Sequence, residues 1–246
     1  MMDEHTQAVP PVFVALDYST ADEARRIVEK LGNNGIHYKV GLQLYVAAGR
    51  SFVEELVDMG KQIFLDLKFH DIPNTVYGAV AEVAKMGVQL LTVHANGGKG
   101  MLQAAVDAAH TYSGSSTETR VLAVTLLTSL NQYDLESIGC SANSVSDHVV
   151  RLAKLADTSG VYGVVCSAHE LAAVRKVTTL KTLVPGIRPK EACHADQARV
   201  ATPSQAFQLG ANYLVVGRPI TQDPDPVRAL LAIQTELSRT GTGEIG

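Results

Sequence analysis

Four charged residues occur at spacings that suit acid–base chemistry. Asp66 and Lys68 lie two positions apart in an apolar run with the pattern of a β-strand, so both side chains project from one face and can pair. Asp71 follows after a turn that Pro73 restricts, and Lys39 lies in an earlier apolar run. One such pair alone is best interpreted as a structural ion pair. Four charges at one end of a fold favour a catalytic centre, in which the lysines offset the repulsion between the acids.

A second group of residues suits phosphate binding. Gly217 and Arg218 follow one apolar run, and Arg188 follows the run before it after a Pro-Gly turn. Glycine lets the backbone approach an anion closely, and the planar guanidinium matches phosphate oxygens. A surface salt bridge is the safer interpretation of Arg218 alone, but its position after an apolar strand weakens that interpretation. Residues 188–199 have no strong periodicity and are a candidate lid.

Eight short apolar runs, each followed by helical periodicity, must position these residues. The predicted strands are residues 12–17, 38–41, 63–68, 90–94, 121–127, 163–167, 183–187 and 213–217. The predicted helices are residues 21–31, 45–59, 75–86, 100–110, 145–158, 169–177, 203–209 and 226–239. Alternation of this kind predicts a parallel sheet, and eight strands are the number that closes a parallel barrel.

An open, doubly wound sheet is the competing topology. It usually carries G-x-G-x-x-G after its first strand, whereas the first run here ends in Leu16-Asp17-Tyr18-Ser19. We therefore predict an α/β fold, a single closed (β/α)8 TIM barrel, in one domain spanning residues 1–246 with loose tails at 1–10 and 241–246. The reacting groups of such a barrel come from the carboxyl ends of its strands.

Composition excludes several classes of function. The net charge of -4 provides no basic field for nucleic acid or an acidic membrane. No apolar stretch approaches the roughly 18 residues of a membrane span. Cys140, Cys166 and Cys193 are widely separated and match neither a disulfide framework nor a zinc site, and the histidines lack metal-ligand spacing. We expect a cytoplasmic protein with no metal assigned.

The segment Asp66-Leu67-Lys68-Phe69-His70-Asp71-Ile72-Pro73-Asn74-Thr75 closely resembles the signature of the orotidine 5′-phosphate decarboxylase family. Further segments resemble the family's other landmarks in the same order, namely Ala15-Leu16-Asp17, Lys39-Val40-Gly41, Leu127-Thr128-Ser129, Pro185-Gly186-Ile187-Arg188-Pro189 and Gly217-Arg218-Pro219. The resemblance implies a cofactor-free and metal-free lyase. Such an enzyme decarboxylates orotidine 5′-phosphate to UMP, the last step of de novo pyrimidine nucleotide synthesis.

The resemblance also implies a role for each site residue. Lys68 is then the general acid, and Asp66 lies beside the departing carboxylate. Asp71 and Thr75 reach into the active site of the partner subunit of a homodimer. The remaining substrate contacts are Asp17 and Lys39 for the ribose, Thr128 for the base, and Arg188, Gln197, Gly217 and Arg218 for the phosphate side.

Two alternatives remain open. Magnesium-dependent sugar-phosphate decarboxylases and synthases of the same barrel superfamily share Asp-x-Lys-x-x-Asp, but they resemble one another in carrying a metal-binding glutamate where this chain has Lys39. Lysine at that position favours the metal-free nucleotide enzyme. The second alternative is a non-catalytic nucleotide-binding barrel, in which the charges only anchor a ligand.

Overall fold

Eight parallel strands close into a barrel in which each strand pairs with its neighbours in the sequence and β1 pairs with β8. The computed structural model describes residues 8–115, 117–189 and 201–241. The strands are β1 Val12–Leu16, β2 His37–Gly41, β3 Gln62–Phe69, β4 Leu90–His94, β5 Arg120–Val124, β6 Gly163–Val165, β7 Lys181–Val184 and β8 Tyr213–Val216. The predicted fold class is confirmed.

The helices of the described residues pack around the outside of the barrel or lie at its ends. They are α1 Ala21–Leu31, α2 Leu42–Asp58, α3 Pro73–Ala84, α4 Gly98–Tyr112, α5 Gln132–Ser137, α6 Val145–Thr158, α7 Leu171–Arg175, α8 Pro203–Gln208, α9 Arg218–Thr221 and α10 Pro226–Gly241. Short 3-10 turns follow α1 and β4 at Gly32–Asn34 and Ala95–Gly97.

Local sequence signals explain where several helices begin and end. Thr20 caps α1 by accepting a hydrogen bond from the backbone N–H of Glu23 at 3.3 Å. Gly32 ends that helix with φ 53, a left-handed conformation that costs glycine little. Pro73 occupies the first turn of α3, and its predecessor Ile72 is extended, as expected of a residue before proline.

The structure differs from the predicted elements at several boundaries. The helices α5 and α9 were not predicted, because six and four residues are too few to show a helical period. The fifth strand ends at Val124 instead of residue 127, so Thr128 lies on the loop that follows. At the two ends of the described residues, Pro10 is buried and Gly241 is the last residue of α10, and most of both predicted tails lies outside these residues.

Apolar residues form two separate cores, as expected for strands that are buried on both faces. The larger core lies between the strands and the surrounding helices. The smaller core fills the barrel interior with Phe13, Ala15, Phe64, Leu90, Leu122, Val124, Val165, Leu183 and Val215. The interior is therefore packed, and open space is left at the carboxyl ends of the strands, where the cavities lie.

Candidate active site

A cavity of about 430 Å³ lies at the carboxyl ends of the strands. Its size is typical of a small-molecule site. Apolar residues of the barrel interior form part of its lining, among them Phe64, Val165 and Val215. Its polar lining includes eight of the residues singled out from the sequence, namely Asp17, Lys39, Asp66, Lys68, Thr128, Arg188, Gly217 and Arg218.

The pair predicted from the two-residue spacing in β3 is formed. The Lys68 Nζ lies 2.9 Å from both carboxylate oxygens of Asp66. The Asp66 side chain is only 14% exposed, whereas that of Lys68 is 35% exposed. The hydroxyl of Thr92, on β4, donates a further hydrogen bond of 2.9 Å to Asp66 Oδ1. The Asp66 carboxylate is thus held by both Lys68 and Thr92. Thr92 was not among the site residues predicted from the sequence.

The backbone of β3 is irregular where it carries this pair. The pairing of β3 with β4 breaks between Leu65, which lies opposite Leu91, and Phe69, which lies opposite Val93. Within the break, Lys68 has a φ of 52, the one positive φ of a non-glycine residue in the described part of the chain. Such a conformation is sterically costly and is concentrated at functional sites.

Lys39, on β2, forms a second ion pair in the same cavity. Its Nζ lies 2.6 Å from Asp17 Oδ1, and the lysine side chain is 12% exposed against 63% for the aspartate. The neighbouring Gly41 leaves room for the ammonium group, since a Cβ at that position would lie 3.0 Å from Lys39 Nζ. The predicted network of charges is therefore divided into two adjacent pairs, Lys39 with Asp17 and Lys68 with Asp66.

Asp71 and Thr75 do not join these pairs within one chain. Both residues are exposed, and neither lines this cavity or the smaller one beside it. The Asp71 carboxylate accepts a 2.6 Å hydrogen bond from the backbone N–H of Ile72, at the turn that leads into α3. The four charges predicted to converge therefore do not all meet within this one chain.

The loop after β8 brings an arginine to the cavity. Gly217 precedes the short helix α9, and Arg218 is the first residue of that helix. The Tyr18 hydroxyl donates a 3.4 Å hydrogen bond to the carbonyl of Thr221, which connects the end of α9 to the loop after β1. A short helix after the eighth strand is a common element of phosphate sites in such barrels.

The loop after β7 brings the second arginine. Arg188 lines the cavity, and its backbone N–H donates a 3.0 Å hydrogen bond to the carbonyl of Ala201. Ile187 and Ala201 form an isolated parallel bridge, so the described residues on the two sides of the loop are joined at its base. Gln197 and most of the predicted lid lie outside the described residues.

A second cavity, of about 350 Å³, adjoins the first and shares Asp17, Lys39, Asp66 and Lys68 with it. Its lining includes His94, at the end of β4. Burial lowers the pKa of His94, and the neighbouring charges of His70 and Lys68 lower it further. His94 therefore favours its neutral form beside the two lysines.

Three general findings bear on partners and on thiol reactivity. Within residues 8–115, 117–189 and 201–241, no three His, Cys, Asp or Glu side chains are grouped so as to hold a metal ion. No helix of these same residues combines the length and apolar character needed to cross a membrane. Cys166, the residue after β6, is buried, and burial raises the pKa of its thiol to about 12, so it behaves as a small apolar residue.

A parallel barrel with two ion pairs and two arginine-bearing loops around one cavity defines the class, a barrel enzyme that acts on a small anionic molecule. Residues 10–233 match the family model described as "Orotidine 5'-phosphate decarboxylase / HUMPS family". The chain is 45% identical to the orotidine 5′-phosphate decarboxylase of Sodalis glossinidius over 96% of its length and 93% of the relative's length.

A second relative and a crystal structure agree with this family match. The chain is 43% identical to the orotidine 5′-phosphate decarboxylase of Idiomarina loihiensis, with 94% of this chain and 99% of the relative covered. The crystal structure of the corresponding enzyme from Lactobacillus acidophilus superimposes with a TM-score of 0.83 at 37% identity, covering 93% of this chain and 99% of that one. The chain belongs to the orotidine 5′-phosphate decarboxylase / HUMPS family.

Proposed function

We propose how the residues of this cavity carry out the reaction of the family. The chain decarboxylates orotidine 5′-phosphate to UMP in pyrimidine biosynthesis and is a carboxy-lyase. The observation that carries the residue assignment is the Asp66–Lys68 pair, an acid and an amine 2.9 Å apart beside an apolar cavity wall. Decarboxylation leaves an electron pair on the ring carbon, which an ammonium group stabilises, and an acid beside the carboxylate repels it until CO2 leaves.

Asp66 acts on the ground state of the substrate. A substrate carboxylate held within ~4 Å of the aspartate feels a repulsion of about 4 kcal/mol at an effective dielectric constant near 20. The repulsion is relieved when neutral CO2 leaves. Because Asp66 is fixed by both Lys68 and Thr92, it is not free to turn away from the incoming carboxylate.

Lys68 acts on the transition state and the intermediate. The bond between the ring carbon and the carboxylate breaks, and its electron pair stays on the carbon. The Lys68 ammonium attracts this growing charge more strongly than it attracts the substrate, which is the requirement for catalysis. It then transfers a proton to the carbon, which completes UMP, and the neutral amine regains a proton from water.

The other lining residues bind the nucleotide away from the reacting carbon. Asp17 and Lys39 hold the ribose through the ion pair described above, and Thr128 contacts the base. Arg188, Gln197, Gly217 and Arg218 bind the phosphate side. Binding energy gained at the phosphate holds the base against Asp66, so remote contacts contribute to the rate and not only to affinity.

The position of Lys39 argues against the magnesium-dependent alternative. Its ammonium group lies 2.6 Å from Asp17 inside the cavity, and the Lys68 ammonium lies in the same cavity. Two positive charges oppose the entry of a divalent cation beside these carboxylates. We therefore assign the reaction to side chains that act without a divalent cation.

A spectrophotometric assay with orotidine 5′-phosphate tests the assignment. We expect decarboxylation to proceed at the same rate with and without EDTA. Loss of activity in EDTA, restored by Mg²⁺, would support the sugar-phosphate alternative. Tight binding of UMP with no release of CO2 would support a nucleotide-binding barrel that is not an enzyme.

We also propose that the enzyme is a homodimer in which Asp71 and Thr75 complete the site of the partner subunit. Both residues are exposed and outside the cavity of their own chain. Exposed apolar side chains lie close to them in the sequence and at the start of α2, with Ile72 66% exposed and Leu42 61% exposed. Apolar residues of this kind are typical of an interface between protein chains.

Mixing two inactive variants tests the shared site. Lys68→Ala and Asp71→Ala subunits are each expected to be inactive as homodimers. A mixed dimer has one site with both residues intact, so random exchange should restore about a quarter of the wild-type activity. If the mixture stays inactive after subunit exchange has been verified by mass spectrometry, each site is self-contained and the proposal is wrong.

Assignments of location, domain organisation and excluded partners complete the proposal. The chain is cytoplasmic, which is supported by the absence of paired cysteines in the described residues, where Cys140 and Cys166 are both free thiols. It forms a single domain and binds neither nucleic acid nor membrane. Cell fractionation tests the location, and a single cooperative unfolding transition tests the single domain.

A further inference from the structure

The strongest unexplained feature near the site is the hydroxyl of Thr92. Thr92 is fully buried on β4, a strand whose other residues, apart from His94, are buried and apolar. Its side chain is fully buried and lines neither the cavity of about 430 Å³ nor the adjoining cavity of about 350 Å³, so it reaches the site through its hydrogen-bond partners. A buried hydroxyl needs hydrogen-bond partners, and both of its partners here belong to the proposed catalytic pair.

The hydroxyl forms one bond as a donor and one as an acceptor. Thr92 Oγ1 donates its single proton to Asp66 Oδ1 at 2.9 Å and accepts from the backbone N–H of Lys68 at 3.0 Å. One small side chain is therefore bonded to the carboxylate of the acid and to the main chain of the amine. Its orientation is fixed by both bonds, since the hydroxyl has one hydrogen to give.

The second bond lies at the break in strand pairing. Residues 66–68 of β3 lie opposite Thr92 alone on β4, so the regular ladder is interrupted there. The Lys68 N–H bonds to the Thr92 side chain at this point, while Lys68 has the left-handed φ of 52. A strained backbone conformation persists only where its surroundings hold it, and Thr92 supplies such a contact.

We infer that Thr92 is a positioning residue for decarboxylation. It holds Asp66 toward the substrate carboxylate and holds Lys68 in the conformation that places its ammonium group beside the same carbon. The inference rests on the roles proposed above for Asp66 and Lys68. Because Thr92 acts through these residues, its loss should slow the chemical step and leave nucleotide binding unchanged.

Replacing Thr92 by valine tests the inference, because valine keeps the shape and removes the hydroxyl. We expect kcat of Thr92→Val to fall about 30-fold, the rate equivalent of one hydrogen bond to a charged group. The inhibition constant for UMP, which lacks the carboxylate, should change less than about twofold. Thr92→Ser restores the hydroxyl and should stay within about threefold of the wild-type kcat.

Thr125 provides the matched control. It is fully buried on the loop after β5, and its hydroxyl donates to the carbonyl of Val165, away from the charged pair. Thr125→Val makes the same chemical change and should retain kcat within about threefold. An equal loss of kcat in Thr125→Val and Thr92→Val would assign the effect to buried hydroxyls in general and overturn the inference.

Other outcomes also decide the matter. The inference is wrong if Thr92→Val keeps kcat, if UMP affinity falls in parallel with kcat, or if Thr92→Ser is as slow as Thr92→Val. Should Thr92→Val not fold, Thr92→Ala is compared with Thr92→Ser by the same measurements. The proposed function fails separately, because an active Lys68→Ala enzyme would refute the catalytic pair regardless of the Thr92 variants.

Discussion

The two ends of the barrel hold polar groups in different ways. At the carboxyl ends of the strands, the ion pairs Lys39–Asp17 and Lys68–Asp66 line a cavity of about 430 Å³. At the amino ends, polar side chains combine with aromatic rings. The hydroxyls of Tyr162 and Tyr213 lie 2.7 Å apart.

At the amino end, polar groups pack against aromatic rings, and these contacts stabilise the fold. The Arg120 guanidinium lies over the Tyr162 ring at 4.5 Å, and the Phe13 ring contacts His37 at 5.2 Å and Tyr213 at 6.1 Å. Contacts of this kind contribute to stability. The carboxyl end keeps its charges beside open space and holds Lys68 in a strained conformation. The carboxyl end therefore has the charged groups and open space that a reaction needs, whereas the contacts at the amino end serve stability.

Lys68→Ala should give the largest loss of activity among these variants, with little loss of stability. Removing the proton donor and the charge that attracts the carbanion should lower kcat by about 10⁴-fold or more. The thermal unfolding midpoint should change little, because the Lys68 side chain is 35% exposed and its ion pair is open to solvent on that side. The check is a decarboxylation assay beside a thermal melt, and near-normal activity would refute the role of Lys68.

Arg218→Ala should give the next largest effect. Loss of a guanidinium that binds phosphate should lower kcat/KM by about 100-fold. Arg228→Ala is the matched control, because Arg228 is an arginine on α10 that pairs with Asp223 and does not line the cavity. Steady-state kinetics of both variants checks this prediction, and it is contradicted if the two variants have the same kcat/KM.

Tyr213→Phe, at the amino end, should have the opposite result, a loss of stability with no loss of activity. It removes the hydroxyl that bonds to Tyr162 and keeps the ring against Phe13. We expect the free energy of unfolding to fall by about 1 kcal/mol, with kcat and KM unchanged. Urea denaturation measures the first quantity. A loss of activity without a loss of stability would show that the two ends of the barrel are not separate in function.

His37 should give the smallest effect, visible as a pH dependence of stability. Burial lowers its pKa in the folded protein, while the unfolded chain has a histidine pKa of about 6.5. The unfolded state therefore binds more protons between these two values, and the contribution of His37 to stability is present above about pH 6.5 and is lost as the pH falls below it. The stability difference between the wild type and His37→Gln should therefore shrink from pH 7.5 to 5. A difference that is constant over this range would contradict the prediction.

The sequence predicted those parts of the fold and the site that depend on local spacing. The eight strands follow from apolar runs, and the Asp66–Lys68 pair follows from two-residue spacing on a strand. Family resemblance, and not spacing, brought Asp17 and Lys39 together, since they are separated by a helix and a turn in the chain.

Other parts of the site were not predictable from local patterns. The two bonds of Thr92 depend on the break in the pairing of β3 with β4, which a period-two pattern does not reveal. The available signal was weak, namely one polar residue inside the apolar run Leu90–His94. The end of β5 was misplaced because Leu126 and Leu127, on the loop that follows it, are also apolar.

Closure of the barrel between β1 and β8 has a consequence for partly made or truncated chains. The first and last strands form the final seam, with Val12 paired to Leu214 and Val14 to Val216. In a chain that ends before β8, the backbone N–H and C=O groups on one side of β1 and on one side of β7 have no strand to pair with. Such a chain has two edge strands that can pair with other chains, whereas the closed barrel has none. Incompletely synthesised and proteolysed forms of this polypeptide should therefore aggregate far more readily than the closed barrel.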